Sequence, residues 1–188
     1  MSHHEKHVMI LATNGFEQSE LTKPKANLED VGIGTVVVSL EGGEIKGWKD
    51  KDWGDSVAVE KTVDEISDCS GYDALLLPGG QMNPDILRMN EKAMGIVKMF
   101  ADADKPIAAI CHAPWLLAEA DIVRGKTVTS WPSIRTDLEN AGANVIDAEV
   151  ACDGNLIPSR NPDDIPAFSK ALIEALGMSV EKRELETA

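Results

Sequence analysis

The sequence predicts an α/β protein, a three-layer α/β/α sandwich built on a mostly parallel sheet. Three observations carry this. Short apolar runs at residues 8–12, 73–77 and 107–110 have the composition of strands buried on both faces. Each stops at a loop-forming group: Asn14-Gly15, Pro78-Gly79-Gly80 and Cys111-His112-Ala113-Pro114. Between the runs lie stretches with apolar residues at helical spacing, and strands that alternate with helices build parallel sheets. No linker, repeat or low-complexity segment interrupts the 188 residues, which predicts one domain over 1–188.

The elements follow in order. After the first strand, Asn14 is placed to cap a helix, with Glu17 three positions on as its capping-box partner. Gly32 and Gly34 end that helix, and the β-branched run 35–40 is a second strand. Residues 41–60, rich in Gly, Lys and Asp with Trp48 and Trp53, predict a loop and a short hairpin ending near 57–59. Residues 62–68 predict a short helix. Met89, Ala93, Val97 and Phe100 share one helical face, as do Ile134, Leu138 and Ala141, and then Ile165, Phe168, Leu172 and Leu176. Between the last two helices, 150–152 and 156–159 flank Asp153-Gly154-Asn155, a hairpin signal.

Composition narrows the function. Eighteen Lys and Arg against 32 Asp and Glu give a net charge of −14. Such a surface repels nucleic-acid backbones and anionic membranes. No stretch has the apolar length to span a bilayer. The first residues lack the basic and then apolar regions of a signal peptide. Cys69, Cys111 and Cys152 are an odd number without CxxC spacing, so neither a disulfide framework nor a zinc site is indicated. The expectation is a cytoplasmic, reduced, cofactor-free protein without a metal. Cys69 and Cys152 read as packing residues, and the mixed charges of 181–186 as a solvated end.

The chemistry gathers at Cys111. A strand running into Cys111-His112, with Pro114 suited to the first turn of a helix, sets the thiol on a sharp strand-to-helix turn. A helix N-terminus beside it favours the thiolate. His112 is the one imidazole outside the N-terminal group His3, His4 and His7. Adjacent side chains on a tight turn usually point apart, so His112 either needs an orienting partner from elsewhere or is a passive polar residue. Glu17 and Glu20 are neighbours on one helix face. Glu20 either reaches the thiol or is a solvated surface carboxylate. Pro78-Gly79-Gly80 is either a plain turn or a source of backbone N–H groups, which with that of His112 would form an oxyanion hole. Trp115 and Trp131 are the two indoles expected near a pocket.

The segment Ala108-Ala109-Ile110-Cys111-His112-Ala113-Pro114, with Leu77-Pro78-Gly79-Gly80 upstream, resembles the PfpI-type intracellular peptidases and protein deglycases of the class I glutamine amidotransferase-like superfamily. The similarity is colinear from Gly15-Phe16-Glu17 through Asp121-Ile122-Val123-Arg124-Gly125-Lys126 to Ser159-Arg160-Asn161-Pro162-Asp163-Asp164. It implies a flavodoxin-like fold with Cys111 as nucleophile on the elbow and Glu20 touching its sulfur. It also implies an oxyanion hole from the Gly80 and His112 N–H groups. A homo-oligomer, dimer or hexamer, would bring Asp85 of a neighbour to His112. The implied activity is stress-protective, on 2-oxoaldehydes or their adducts with proteins and peptides. Two departures from the family pattern bear on substrate choice: Ala113 for Gly narrows the turn beside the nucleophile, and Trp115 for a polar residue would make the pocket more apolar and tighter. Peptide hydrolysis, and a redox sensor or chaperone using the same thiol, are the alternatives. A glutaminase subunit would need a late His, and the chain has none there.

Overall fold

The structure, a computed structural model, describes residues 5–179; His3, His4 and the charged stretch 181–186 lie outside the described residues. The elements run β1 (His7–Leu11), β2 (Phe16–Glu17), α1 (Gln18–Asp30), β3 (Gly34–Ser39), β4 (Gly43–Lys49), β5 (Asp52–Val59) and β6 (Lys61–Thr62). Then come β7 (Ala74–Leu77), α2 (Met82–Leu87), α3 (Glu91–Asp102), β8 (Ile107–Ile110) and α4 (Pro114–Glu119). The chain continues with β9 (Thr127–Val128), α5 (Arg135–Asn140), β10 (Asn144–Val145), β11 (Leu156–Ser159) and α6 (Ile165–Ala175).

A six-stranded sheet in the order β11-β8-β7-β1-β3-β6 is the centre, and its pairings are parallel. The chain leaves β1 toward β3 on one side and returns to β7 on the other. The order therefore reverses between β1 and β7, the switch point where flavodoxin-like sheets open a crevice at the carboxyl ends of their strands. Side chains alternate across the sheet. Met9, Leu11, Leu75, Leu77 and Ala109 pack with Val97 and Phe100 of α3, Leu116 of α4 and Leu138 of α5. Val8, Ile10, Leu76, Ala108 and Ile110 pack on the opposite face with Leu21 and Leu28 of α1 and Phe168 and Leu172 of α6. Two apolar layers on one sheet are the expected α/β/α sandwich.

Several local expectations are corrected. Asn14 does not cap α1: its Oδ1 accepts from the Lys46 N–H at 2.8 Å, tying the loop to β4. The N-cap of α1 is Glu17, without a side-chain cap bond. The hairpin expected in residues 41–60 is present and ends at Val59, but it is longer than expected and takes up most of the predicted loop: β4 and β5 pair antiparallel and turn at Asp50-Lys51. Those two residues take φ of 50° and 70°, the turn that matches strand twist, with no glycine to announce it. The helix at 62–68 is one 3-10 turn, Val63–Glu65, with a capping box between Thr62 and Glu65. Met89 is 79% exposed and precedes α3, whose cap is Asn90. The hairpin at 150–159 reduces to two antiparallel bridges, Val150 with Ser159 and Asp153 with Leu156. Cys152 is exposed, so it is not a packing residue, whereas Cys69 is buried.

Candidate active site

The site forms where the loops after β1, β7 and β8 meet. Cys111 follows β8 directly and has φ +66°, a conformation that costs a residue with a Cβ on the order of 1 kcal/mol or more. The turn is fixed on both sides. The Cys111 N–H donates to the Ser159 carbonyl of β11 at 3.0 Å, and its carbonyl accepts from the Trp131 N–H at 2.9 Å. Pro114 stands at the first position of α4, where its missing N–H leaves nothing unpaired.

This strained turn corrects one expectation. Cys111 and His112 do not point apart: Cys111 Sγ lies 3.2 Å from His112 Nδ1. The imidazole is held by neighbours within the chain. Trp131 stacks on it at 5.9 Å between centroids, Trp115 meets it edge-on at 5.3 Å, and Ser133 Oγ is 3.4 Å from Nε2. Trp115 is itself fixed, donating from Nε1 to Asp137 Oδ2 at 2.8 Å with the Arg88 guanidinium over its ring. Burial lowers the pKa of His112, so at neutral pH the ring is uncharged and open to a proton.

Glu20, one turn into α1, is fully buried rather than a solvated surface residue. Its Oε2 accepts from the Gly79 N–H at 2.9 Å, its carboxyl faces the Cys111 sulfur, and its Oε1 is buried without a hydrogen-bond partner. Burial, and then the charge of Glu17, push the Glu20 carboxyl up to about 8. Glu17 is half-buried; burial raises its pKa, and Ser19 Oγ donates to it at 3.3 Å. Glu17 thus acts on Glu20 through charge instead of closing a capping box.

The same surroundings overturn the expectation of a thiol lowered by a helix N-terminus. The helix is only six residues long and begins three positions after Cys111. Burial, and then a charged Glu20, push the thiol up; the Gly80 and His112 N–H groups, both directed at the sulfur, oppose this. Sulfur and carboxyl face each other in a buried pocket, and when Glu20 is protonated the repulsion between them disappears.

Gly79 and Gly80 serve different ends. A Cβ on Gly79 would lie 2.3 Å from Glu20 Oε2 and 2.6 Å from the Cys111 Cβ, so only glycine lets these two approach. Its N–H is taken by Glu20, which removes Gly79 from the expected oxyanion donors. Gly80, at φ +81°, turns its own N–H toward the sulfur and carboxyl. Asn83, which sequence reasoning missed, holds the loops together. Its Oδ1 accepts from the Thr13 N–H at 2.8 Å, and its Nδ2 donates to the carbonyls of Pro78 and Gly79 at 2.8 and 3.2 Å. An Asn before Pro84 was its only signal. Ser133 was missed because hydroxyls on loops are common. Asp85 is exposed on α2, and the atom beside His112 Nε2 in this chain is Ser133 Oγ.

Among the described residues, no group of three or more His, Cys, Asp and Glu is placed to hold a metal ion, and no helix is long and apolar enough to cross a membrane. A family model described as DJ-1/PfpI matches residues 6–175. The chain is 41% identical over 169 residues to Deglycase TK1284 of Thermococcus kodakarensis, covering 90% of this chain and 98% of that one. It is 38% identical over 174 residues to Protein/nucleic acid deglycase 2 of Escherichia coli, covering 92% and 98%. A crystal structure of a two-domain protein from Anabaena variabilis, with DJ-1/ThiJ/PfpI-like and ferritin-like domains, superposes with a TM-score of 0.87 at 35% identity. That match covers 93% of this chain and spans about half of the two-domain protein, 49% of its length.

Proposed function

Because this chain belongs to the DJ-1/PfpI family, we propose that it is a cofactor-independent enzyme acting on 2-oxoaldehydes or their adducts with proteins, with Cys111 as nucleophile. One observation carries the reading: the backbone of Cys111 is held at φ +66°, which brings its sulfur to His112 Nδ1 and Glu20 at once. Strain of this kind persists where the surrounding structure enforces it, and it clusters at sites of chemistry.

The Cys111 sulfur adds to the aldehyde carbon while its proton passes to His112 Nδ1. With an amine adduct, the sulfur takes the place of the departing amine. Charge developing on the carbonyl oxygen meets the N–H groups of Gly80 and His112. The hydrogen on the attacked carbon moves as a proton to the neighbouring ketone carbon through an enediol. The aldehyde carbon is thereby oxidised to a thioester and the ketone reduced to an alcohol. Water cleaves the thioester, restoring the thiol and releasing a 2-hydroxy acid. The substrate is both oxidant and reductant, so the electrons balance within it. Glu20, protonated below about 8, donates toward the sulfur as charge builds there.

A Cys111 only 6% exposed, with two indoles against the adjacent His112, suits a small carbonyl compound better than a peptide chain, and its burial weighs against a freely oxidised sensor. The same proposal includes a homo-oligomer with Asp85 of one copy reaching His112 of another. Asp85 is exposed, and Met82 and Met89 near it expose apolar surface. A cytoplasmic setting suits the three free cysteines. The test is methylglyoxal turnover by Cys111→Ser. A loss of roughly a hundredfold or more is expected, and full retained turnover refutes the proposal.

A further inference from the structure

A cavity of about 240 Å³ opens at the carboxyl ends of β1 and β3, and Cys111 is not among its lining residues. It is small beside the roughly 300–1,000 Å³ of pockets for drug-sized ligands, so its occupant has the size of a side chain. At its base Ser39 is 1% exposed, and its Oγ has no hydrogen-bond partner. A buried hydroxyl left unpaired carries a desolvation cost, which a ligand reaching it would offset. Thr13 adds a second hydroxyl, and Glu41 and Glu44 bring two carboxylates to the mouth. Among the described residues no cationic side chain lines the cavity, and Ile45 and Ile86 give it apolar wall.

We propose that this cavity is a binding site for a primary alkylammonium group, its alkyl stem along Ile45 and Ile86 and its N–H donors on Ser39 and the two carboxylates. The chemistry distinguishes among cations. An ammonium has three donors and no acceptor, matching a lining of acceptors. A bare divalent ion requires six or more oxygens in close array, and isoleucines take up that space here. Two sources share this chemistry: the lysine side chain of a protein, and a free aliphatic amine. The site does not depend on the reaction at Cys111. Asn83 nonetheless links the two, since it holds Thr13 N–H on one side and the Pro78 and Gly79 carbonyls on the other.

The experiment is an NMR titration of the full chain with n-butylammonium, putrescine, Gly-Lys-Gly amide and, as the uncharged isostere, n-butanol. Saturable shifts at residues 13 and 39–45 are expected with at least one ammonium and not with n-butanol. Binding of the peptide assigns the site to lysine side chains; binding of only the free amines assigns it to those. The double variant Glu41→Gln/Glu44→Gln, altered only at exposed positions, should weaken binding by roughly tenfold or more. Ser39→Ala should weaken it independently. Equal binding of n-butanol, undiminished binding by the double variant, or no saturable shift at these residues overturns the proposal.

Discussion

Cys111 Sγ lies 3.2 Å from Nδ1 of His112, the next residue in the chain, and the positive φ of Cys111 makes that approach possible. The geometry carries a conformational cost that glycine avoids. Cys111→Gly should therefore be more stable than Cys111→Ala by about 1 kcal/mol, read from urea denaturation, although glycine ordinarily loses more entropy on folding. Equal stabilities would mean that the turn is not strained.

Glu20 makes stability depend on pH in a definite direction. Its carboxyl ordinarily titrates at 4.5 and here at about 8, chiefly because it is buried. Between these values the folded chain holds a proton that the unfolded chain has released. Stability falls as pH rises through the window, and the full penalty applies above about 8. The expected measurement is a urea midpoint that declines from pH 5 to 8.5 in the wild type and is flatter in Glu20→Gln. The carboxyls of Glu29 and Asp147 are shifted downward, so their contributions change at lower pH and do not produce this decline.

The same carboxylate opposes ionisation of the thiol once it is charged. Replacing it with a neutral amide removes that repulsion. Glu20→Gln should be alkylated at Cys111 several-fold faster than wild type at pH 9, with the gap closing toward pH 6. Mass spectrometry of the Cys111 peptide reads this directly, and a slower variant at pH 9 would contradict the repulsion between carboxylate and thiolate.

Gly79 is constrained by crowding. An added Cβ would press on Glu20 Oε2, the Cys111 Cβ and the Ile110 carbonyl at 2.3, 2.6 and 2.6 Å. Gly79→Ala should lose about 2 kcal/mol of stability, with a matching fall in thermal midpoint, and most of its turnover. Gly95→Ala, where an added Cβ meets nothing within 4 Å, is the control and should be neutral or slightly stabilising.

The layers of the fold were legible because the strands that carry them are apolar on both faces and the turns that stop them are explicit. Val8 to Leu11, Ala74 to Leu77 and Ile107 to Ile110 are buried throughout, as their composition requires. The β4–β5 hairpin was legible at its end near Val59 but not in its length or turn, because Asp50 and Lys51 enter positive φ without glycine and the strands are polar on their exposed face. Cys111, the glycine pair and Pro114 could be singled out from local sequence alone. Ser133, Asn83 and the burial of Glu20 are tertiary facts: a hydroxyl, an amide and a carboxylate look the same in sequence whether water or a protein interior surrounds them. The thiol showed the largest gap between local and tertiary reasoning. A nearby helix start argued for ionisation, whereas burial and the α1 carboxyl of Glu20 push the thiol the other way.

The most direct test of the central claim is to mix the protein with methylglyoxal, quench in acid within the first turnover, and locate the adduct by peptide mass spectrometry. The account predicts an adduct on the buried Cys111 thiol that forms and decays within the turnover time. A stable adduct confined to the exposed Cys152, or to lysine and arginine side chains, with Cys111 unmodified at all times, would contradict it.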